Sequence, residues 1–585
     1  MDKIRKPRGP PVWRCRNGIG VQFHPSLSKF RYKCTSIREQ KTHQYSCIMA
    51  YELVYKSSFQ YSVGVGAILA AYYVVPYLLD PYDYRRRFSG PWLASFTNWW
   101  MASTIDNNCH SDVICRLHSK YGTFMRIGPN HISIADPEAH EAVYGHSSGL
   151  TKTELYNGFT NGTPIIFTAT DKAVHTTKRR RVANVFSMQS VLEFEPRVKK
   201  HILELCKQWD VRCDSAACGT SGINWEAKDG KAIIDCCAQF AFLVFDIIGD
   251  LAVGSPFGLV QRQRDAVPMA RSLDLSENIG VSTAETSVAG ALTRANHMVM
   301  VVGVYPLWIQ KILRLAPWHL GGAFATTRLF KWAVAAVNDR LARKKNGDDG
   351  TGGVDIIDKL LPVLNAPGSG MSQAEFIAEI LGILVAGGDT TSNTLSGLCY
   401  YLAMQPRCQR KLQEELDAHI PLDQSELNDS SNVVPRYEDV KGLPYLGACI
   451  KETHRLQSVV GTGLPRMVPP GKTFTFRDQT FKAGSILSVP SYTTNRSKIW
   501  GHDADEFRPE RWLEDGAGAL SKYLVPFSVG PRACVGRNLA TMDLFLIVAT
   551  LFRRYEVGGL SSTKLHIEES FMRTTVKCNV SIKRR

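Results

Sequence analysis

Cys534 lies within Phe527-Ser-Val-Gly530-Pro-Arg532-Ala-Cys534-Val-Gly536, where a ring, two glycines and a guanidinium keep fixed offsets around one thiol. The apolar run that follows predicts a helix over about 534–553. A thiol at a helix start receives backbone N–H donors and the positive end of the helix dipole, and both favour the thiolate. Such a sulfur can bind a metal. Gly530 and Gly536 would let backbone approach a flat cofactor, Phe527 could cover the sulfur, and Arg532 could pair with a carboxylate on that cofactor. A lone cysteine is usually a small buried hydrophobe. The surrounding residues at fixed offsets point beyond that reading.

A second group is Ala386-Gly387-Gly388-Asp389-Thr390-Thr391, within an apolar helical stretch. Two adjacent glycines cost about 1 kcal/mol each relative to alanine in a helix, so propensity alone would not place them there. Small residues would open room beside a flat cofactor, and the Thr390 hydroxyl can bond the carbonyl of Ala386. Asp389 and Thr390 have the chemistry to move protons. A local helix break is the plainer reading of Gly-Gly. Glu452 and Arg455 share one helical face at i and i+3, and Arg511 follows in Phe507-Arg-Pro-Glu-Arg511-Trp512.

The Cys534 segment resembles the haem-binding signature of the cytochrome P-450 family, and 386–391 resembles its oxygen-binding groove. The resemblance implies one mainly helical domain with a small β portion, holding haem b between two long helices. Cys534 would be the axial iron ligand, and an axial thiolate pushes electron density onto iron and favours O–O cleavage. Asp389 and Thr390 would deliver protons near dioxygen. Glu452, Arg455 and Arg511 match the family's structural triad. Arg179, His175 and Arg466 match propionate-binding positions, although the family often has Trp where this chain has His175. Of Lys178–Arg181, only Arg179 is expected to point inward, leaving the rest to attract an acidic redox partner. Longer runs, among them Phe186–Pro196 and Phe245–Gly258, resemble the fungal benzoate para-hydroxylase subfamily, with Val253 where Phe is expected. By that analogy the pocket is lined near Tyr156–Thr168, Ser458–Gly463 and Glu568–Met572. An aromatic acid or a larger secondary-metabolite intermediate is the implied substrate, oxidised with electrons from an NADPH-dependent flavoprotein reductase. An isomerase or dehydratase on the same fold, and a non-catalytic haem-binding protein, are the competing readings.

The elements that must position these residues follow from pattern. Ser372 and Glu375 form a capping box opening a helix to Gln405, and Pro406 starts another to about His419. Residues 120–135 alternate as two short strands about a turn, and 472–490 reads as a hairpin. Helical spacing covers 187–209 and 232–253, while 211–231 and 345–353 read as loops. Tyr61–Leu79 is uncharged and near the roughly 20 residues needed to cross a bilayer. Arg85–Arg87 just beyond it favour a cytosolic catalytic domain, which implies a single-pass protein of the endoplasmic reticulum in contact with lipid. The expected layout is a basic extension at 1–48, a transmembrane anchor at 61–79 and the haem domain at 80–585. Met49 would make a natural start if 1–48 is absent from the mature protein.

The 585-residue chain has a formal charge of +16, but the surplus is concentrated in its first 48 residues and no nucleic-acid motif accompanies it. Nucleic acid is therefore not an expected partner. Fifteen unevenly spaced cysteines argue against a disulfide framework. No Gly-rich dinucleotide fingerprint follows a strand, which fits a separate reductase. Sequons begin at Asn161, Asn428, Asn495 and Asn579, and a cytosolic domain would leave them unmodified.

Overall fold

A computed structural model describes residues 37–159, 162–270, 281–347, 353–365, 371–420 and 434–585. The basic segment 1–36, the pocket candidates Thr160 and Asn161, and Asn428 lie outside the described residues. The chain divides into two units, Met1–Val75 and Pro76–Arg585. The described part of the first belongs to the helix Ile37–Leu79. Gln60–Leu79, at mean hydropathy 1.7 and with no part buried, has the length and composition of a membrane span. Cys236–Val253 is as apolar, but 89% of it is buried, which makes it a core helix.

The second unit is mainly helical with small sheets. At its centre the helix Cys236–Val253 packs along the long helix Gln373–Met404. Ser372 caps the long helix, its Oγ accepting the Glu375 N–H at 3.1 Å. The next helix runs Pro406–His419. The long helix passes unbroken through Gly387-Gly388. A Cβ on Gly388 would overlap the Phe245 ring, and one on Gly387 would lie 2.9 Å from Ile248 Cδ1. The glycines thus let two buried helices touch, rather than opening room for a cofactor as expected. Close packing of apolar surface offsets their helix penalty.

A five-stranded sheet runs in the order Phe124–Gly128, His131–Ile134, Ile486–Ser488, Arg466–Met467, Thr151–Lys152. Its last pair is antiparallel and sets Lys152 opposite Arg466. Phe474–Phe476 and Gln479–Phe481 form the expected hairpin. A separate hairpin, His566–Glu569 with Arg573–Lys577, carries Phe571 in its turn. Three expectations are corrected. Residues 211–231 are not a loop: the helix Glu195–Ala217 continues to Ala217, and the paired strands Trp225–Lys228 and Lys231–Asp235 follow. That second strand also takes the first residues of the expected helix 232–253. The final helix begins at Arg537, with Gly536 at its cap.

Candidate functional site

The last helix starts two residues after Ala533–Cys534–Val535, and the Gly536 and Arg537 backbone N–H groups turn back toward the Cys534 sulfur. Surrounding protein pushes the thiol upward, and those donors with the nearby Arg179 and Arg537 guanidinium groups oppose the shift. Yet Cys534 is exposed by surface area. Both observations hold together if the sulfur faces an enclosed hollow rather than open water. Cys534 N–H donates to Phe527 O at 2.8 Å, and the Phe527 ring packs edge-on to His454 at 5.4 Å. Gly536 borders open space, as a position beside a flat group should. Gly530 has a different reason. Its φ is +73°, and a Cβ there would overlap the Tyr144 carbonyl oxygen.

Arg179 lies beside the sulfur, and Lys152, Arg466 and Arg532 are near enough to one another to repel. Arg179, half-buried, donates to Ala533 O. Arg532 donates to the carbonyls of Ala169, Thr170 and Asp171. Arg466 is buried and donates to Tyr156 Oη at 2.8 Å. Lys152, absent from the sequence-based set, is buried against the Tyr156 and Phe167 rings at 4.2 and 4.6 Å and donates to Phe167 O. Burial, then repulsion from Arg466 and Arg532, drives its ammonium well below the usual lysine range. Burial and the same cations bring His175 down to about 4, so its imidazole is neutral. Burial and Arg466 bring Arg532 down to about 10. Among the described residues none of Lys152, Arg179, Arg466 and Arg532 has a carboxylate partner. Uncompensated buried cations are costly, and a dianionic group beside them would remove that cost. The residues therefore fit a porphyrin with two propionates.

The long helix carries the second group of residues. Ala386 is exposed within an otherwise packed helix, and Thr390, one turn on, is partly so. The Thr390 hydroxyl donates to Ala386 O at 2.7 Å, as its spacing predicts. Asp389 is buried, and burial lifts its carboxyl to about 6 against an opposing bond from Asn393. Residues 165–171 link the long helix to Arg532. A Cβ on Gly382 of the long helix would lie 2.7 Å from Ile165 Cδ1, and the Ile166 N–H donates to Glu379 at 3.0 Å, while Ala169–Asp171 take Arg532. Phe159, Phe167 and Phe571 stand edge-to-face with centroids 5.2–5.6 Å apart.

Lys178 does not point outward as expected. It is buried and paired with Glu375 and Glu379, and Arg181 pairs with Glu375, which leaves Arg180 as the exposed member. Glu452, Arg455 and Arg511 meet as their order implied. Glu452 Oε1 lies 2.8 Å from both Arg455 Nη2 and Arg511 Nε, and all three side chains are buried. The signal for Lys152 was too short to read, because its strand is two residues long.

A thiol at a helix start, beside cations without carboxylate partners, is what a haem-thiolate site requires. The chain belongs to the cytochrome P-450 family, whose model matches residues 89–582. It is a monooxygenase that binds haem through a cysteine thiolate on the iron. It is 37% identical to benzoate 4-monooxygenase bphA of Aspergillus niger over 524 residues, 89% of this chain and 96% of that protein. It is 28% identical to pisatin demethylase of Fusarium vanettenii over 81% of this chain and 85% of the relative. It is likewise 28% identical to cytochrome P-450 monooxygenase hepC of Aspergillus oryzae, over 84% and 91%.

Proposed function

We propose that this protein is a membrane-anchored oxygenase of small aromatic compounds, aromatic acids included, in which Cys534 is the iron ligand. The carrying observation is Cys534 at a helix start with Arg179 beside it, and a cluster of Lys152, Arg466 and Arg532, none of these four cations having a carboxylate partner among the described residues. Haem, when bound, supplies dioxygen activation and insertion of one oxygen atom into a substrate C–H bond. Arg179, Arg466, Arg532 and Lys152 would hold its propionates, with neutral His175 as a hydrogen-bonding neighbour. The Gly536 and Arg537 N–H groups would temper the sulfur's charge. With its own proton on Ala386 O, Thr390 Oγ1 would accept a hydrogen bond on the cofactor side, and Asp389 would exchange protons with solvent, at a carboxyl lifted close to working pH. Phe159, Phe167 and Phe571 would orient a flat ring by edge and face contacts and exclude water.

Electrons would come from an NADPH-dependent flavoprotein reductase. Gln60–Leu79 would cross the endoplasmic reticulum membrane, with the catalytic unit in the cytosol. In support, Trp308, Ile312, Leu315, Trp318 and Phe324 are all exposed on or between neighbouring helices, a surface suited to lipid. Asn495 is buried with its amide on Ser458 Oγ, so that sequon is closed to modification in the folded protein.

The test is spectral. The carbon-monoxide-bound ferrous protein should show the thiolate-type Soret band, and Cys534→Ser should lose it. A histidine-type band in the unmodified protein would end the proposal. Benzoate should perturb the haem spectrum, and a silent titration with benzoate and its simple analogues would remove aromatic acids from the substrate class.

A further inference from the structure

Asp389 is held by a residue that the motif does not contain. Asn393, one turn further along the long helix, donates from Nδ2 to Asp389 Oδ1 at 2.9 Å and to Asp389 O at 2.7 Å. Its Oδ1 accepts the Thr575 N–H at 2.6 Å and the Thr575 hydroxyl at 2.8 Å. All three side chains are buried. This pattern fixes the amide's orientation by chemistry. A backbone N–H can only donate, so the Asn393 atom facing Thr575 must be oxygen, and the atom facing Asp389 must then be the donor nitrogen.

We propose that Asn393, clamped by Thr575, is the positioning residue for Asp389, locking its carboxylate rotamer and biasing it toward the ionised form. This inference rests on the reading of Asp389 as the residue that exchanges protons with solvent. It goes beyond that reading by placing control of the acid on a strand outside the helix, in the hairpin Arg573–Lys577.

Two features make the clamp one-directional. A donor to a carboxylate stabilises its charged form, whereas an acceptor at the same place would stabilise the acid. Because Thr575 occupies Asn393 Oδ1 twice, the amide cannot flip to present its acceptor. Burial raises the Asp389 carboxyl and Asn393 is the counterweight, with no charged group from a packed element acting on it among the described residues. Oδ1 is thereby occupied, and among the described residues no bond engages Oδ2, which remains for proton exchange.

The experiment uses the full-length haem-loaded protein in lipid with a flavoprotein reductase. NADPH oxidation and peroxide release are followed from pH 5 to 8.5, without substrate and with benzoate as probe. Variants are Asn393→Ala, Asn393→Asp, Thr575→Val and Asp389→Asn, each checked for haem content and the thiolate-type Soret band. Asn393→Ala should move the acid limb of NADPH oxidation up by about one pH unit or more, and Asn393→Asp further, since it adds a like charge. Thr575→Val keeps the N–H bond and should move the limb by less. In the Asp389→Asn background, Asn393→Ala should have no further effect on the profile.

Should Asp389→Asn leave rate and profile untouched, the proton role of Asp389 fails and this inference with it. Should Asp389→Asn remove the limb while Asn393→Ala, correctly folded, leaves it in place, the clamp alone is overturned. If Asn393→Ala loses haem, Thr575→Val and Asn393→Asp decide: a limb unmoved in whichever of them retains haem overturns the clamp, as does loss of haem in both.

Discussion

Lys152 and Arg466 face each other directly across an antiparallel strand pair, two buried cations on neighbouring strands. Like charges so placed destabilise a sheet, and an anion beside them would relieve the pair. Lys152→Met keeps the stem and removes the charge. Haem should leave this variant about 10- to 150-fold more readily, the effect of about 1.5–3 kcal/mol from one charged hydrogen bond. With haem stripped, the variant should melt higher than the unmodified protein. Haem transfer to an acceptor globin and paired melting curves check both, and unchanged transfer would remove Lys152 from the propionate set.

Glu452 receives Arg455, Arg511, the Trp512 indole and the Arg508 N–H, with no exposure to water. Glu452→Gln leaves two buried guanidinium groups short of their charge partner, and breaking such a pair costs about 3–5 kcal/mol. Urea unfolding should record that loss. Arg455→Lys should not be tolerated either, because Arg455 also bonds the carbonyls of Asn495, Ala504 and Glu506 through its fork.

Asp543 is buried in the last helix with no hydrogen-bond partner for Oδ1, and burial pushes its carboxyl up to about 8. Between the ordinary carboxylate range and pH 8 the folded protein holds a proton that the unfolded chain has lost. Its contribution to stability is therefore greatest at low pH and falls as pH rises, by about 1.4 kcal/mol per unit. Asp543→Asn should remove that slope, so its advantage over the unmodified protein widens from pH 5 to 7.5. An equal melting difference at both pH values would show that Asp543 is not the group responsible.

Gly388 and Gly536 should respond in opposite ways to alanine. Gly388→Ala drives a methyl into Phe245, and overpacking of that kind costs about 1–3 kcal/mol of stability. Gly536→Ala meets open space, so the fold should hold while haem occupancy falls. Absorbance of the haem band per mole of protein, set beside the melting temperature, separates the two cases.

The helices were legible wherever local signals agreed. Ser372 capping, apolar periodicity and Pro406 marked the long helix and its successor almost to the residue. Thr390 on Ala386 followed from i, i+4 spacing, and Glu452 with Arg455 from i, i+3. What depended on distant partners was not legible. Gly387 and Gly388 looked like space for a cofactor because Phe245 and Ile248, more than a hundred residues earlier, could not be placed against them. Lys178 looked solvated because Glu375 and Glu379 lie on another helix, and most of the strand Lys231–Asp235 was read as the start of a helix because the strand that holds it, Asn579–Arg584, is more than three hundred residues later. Lys152 gave no signal at all, since its importance comes from Arg466 on the next strand.

The bond from Arg532 to Ala169 joins residues 363 positions apart, and that from Thr575 to Asn393 joins residues 182 apart. During synthesis, then, neither bond can form until nearly the whole chain has emerged. Such non-local closure is slow, and it confines cofactor capture to the end of folding. A nascent chain halted before residue 575 would retain most of its helices and still be unable to set the carboxylate of Asp389.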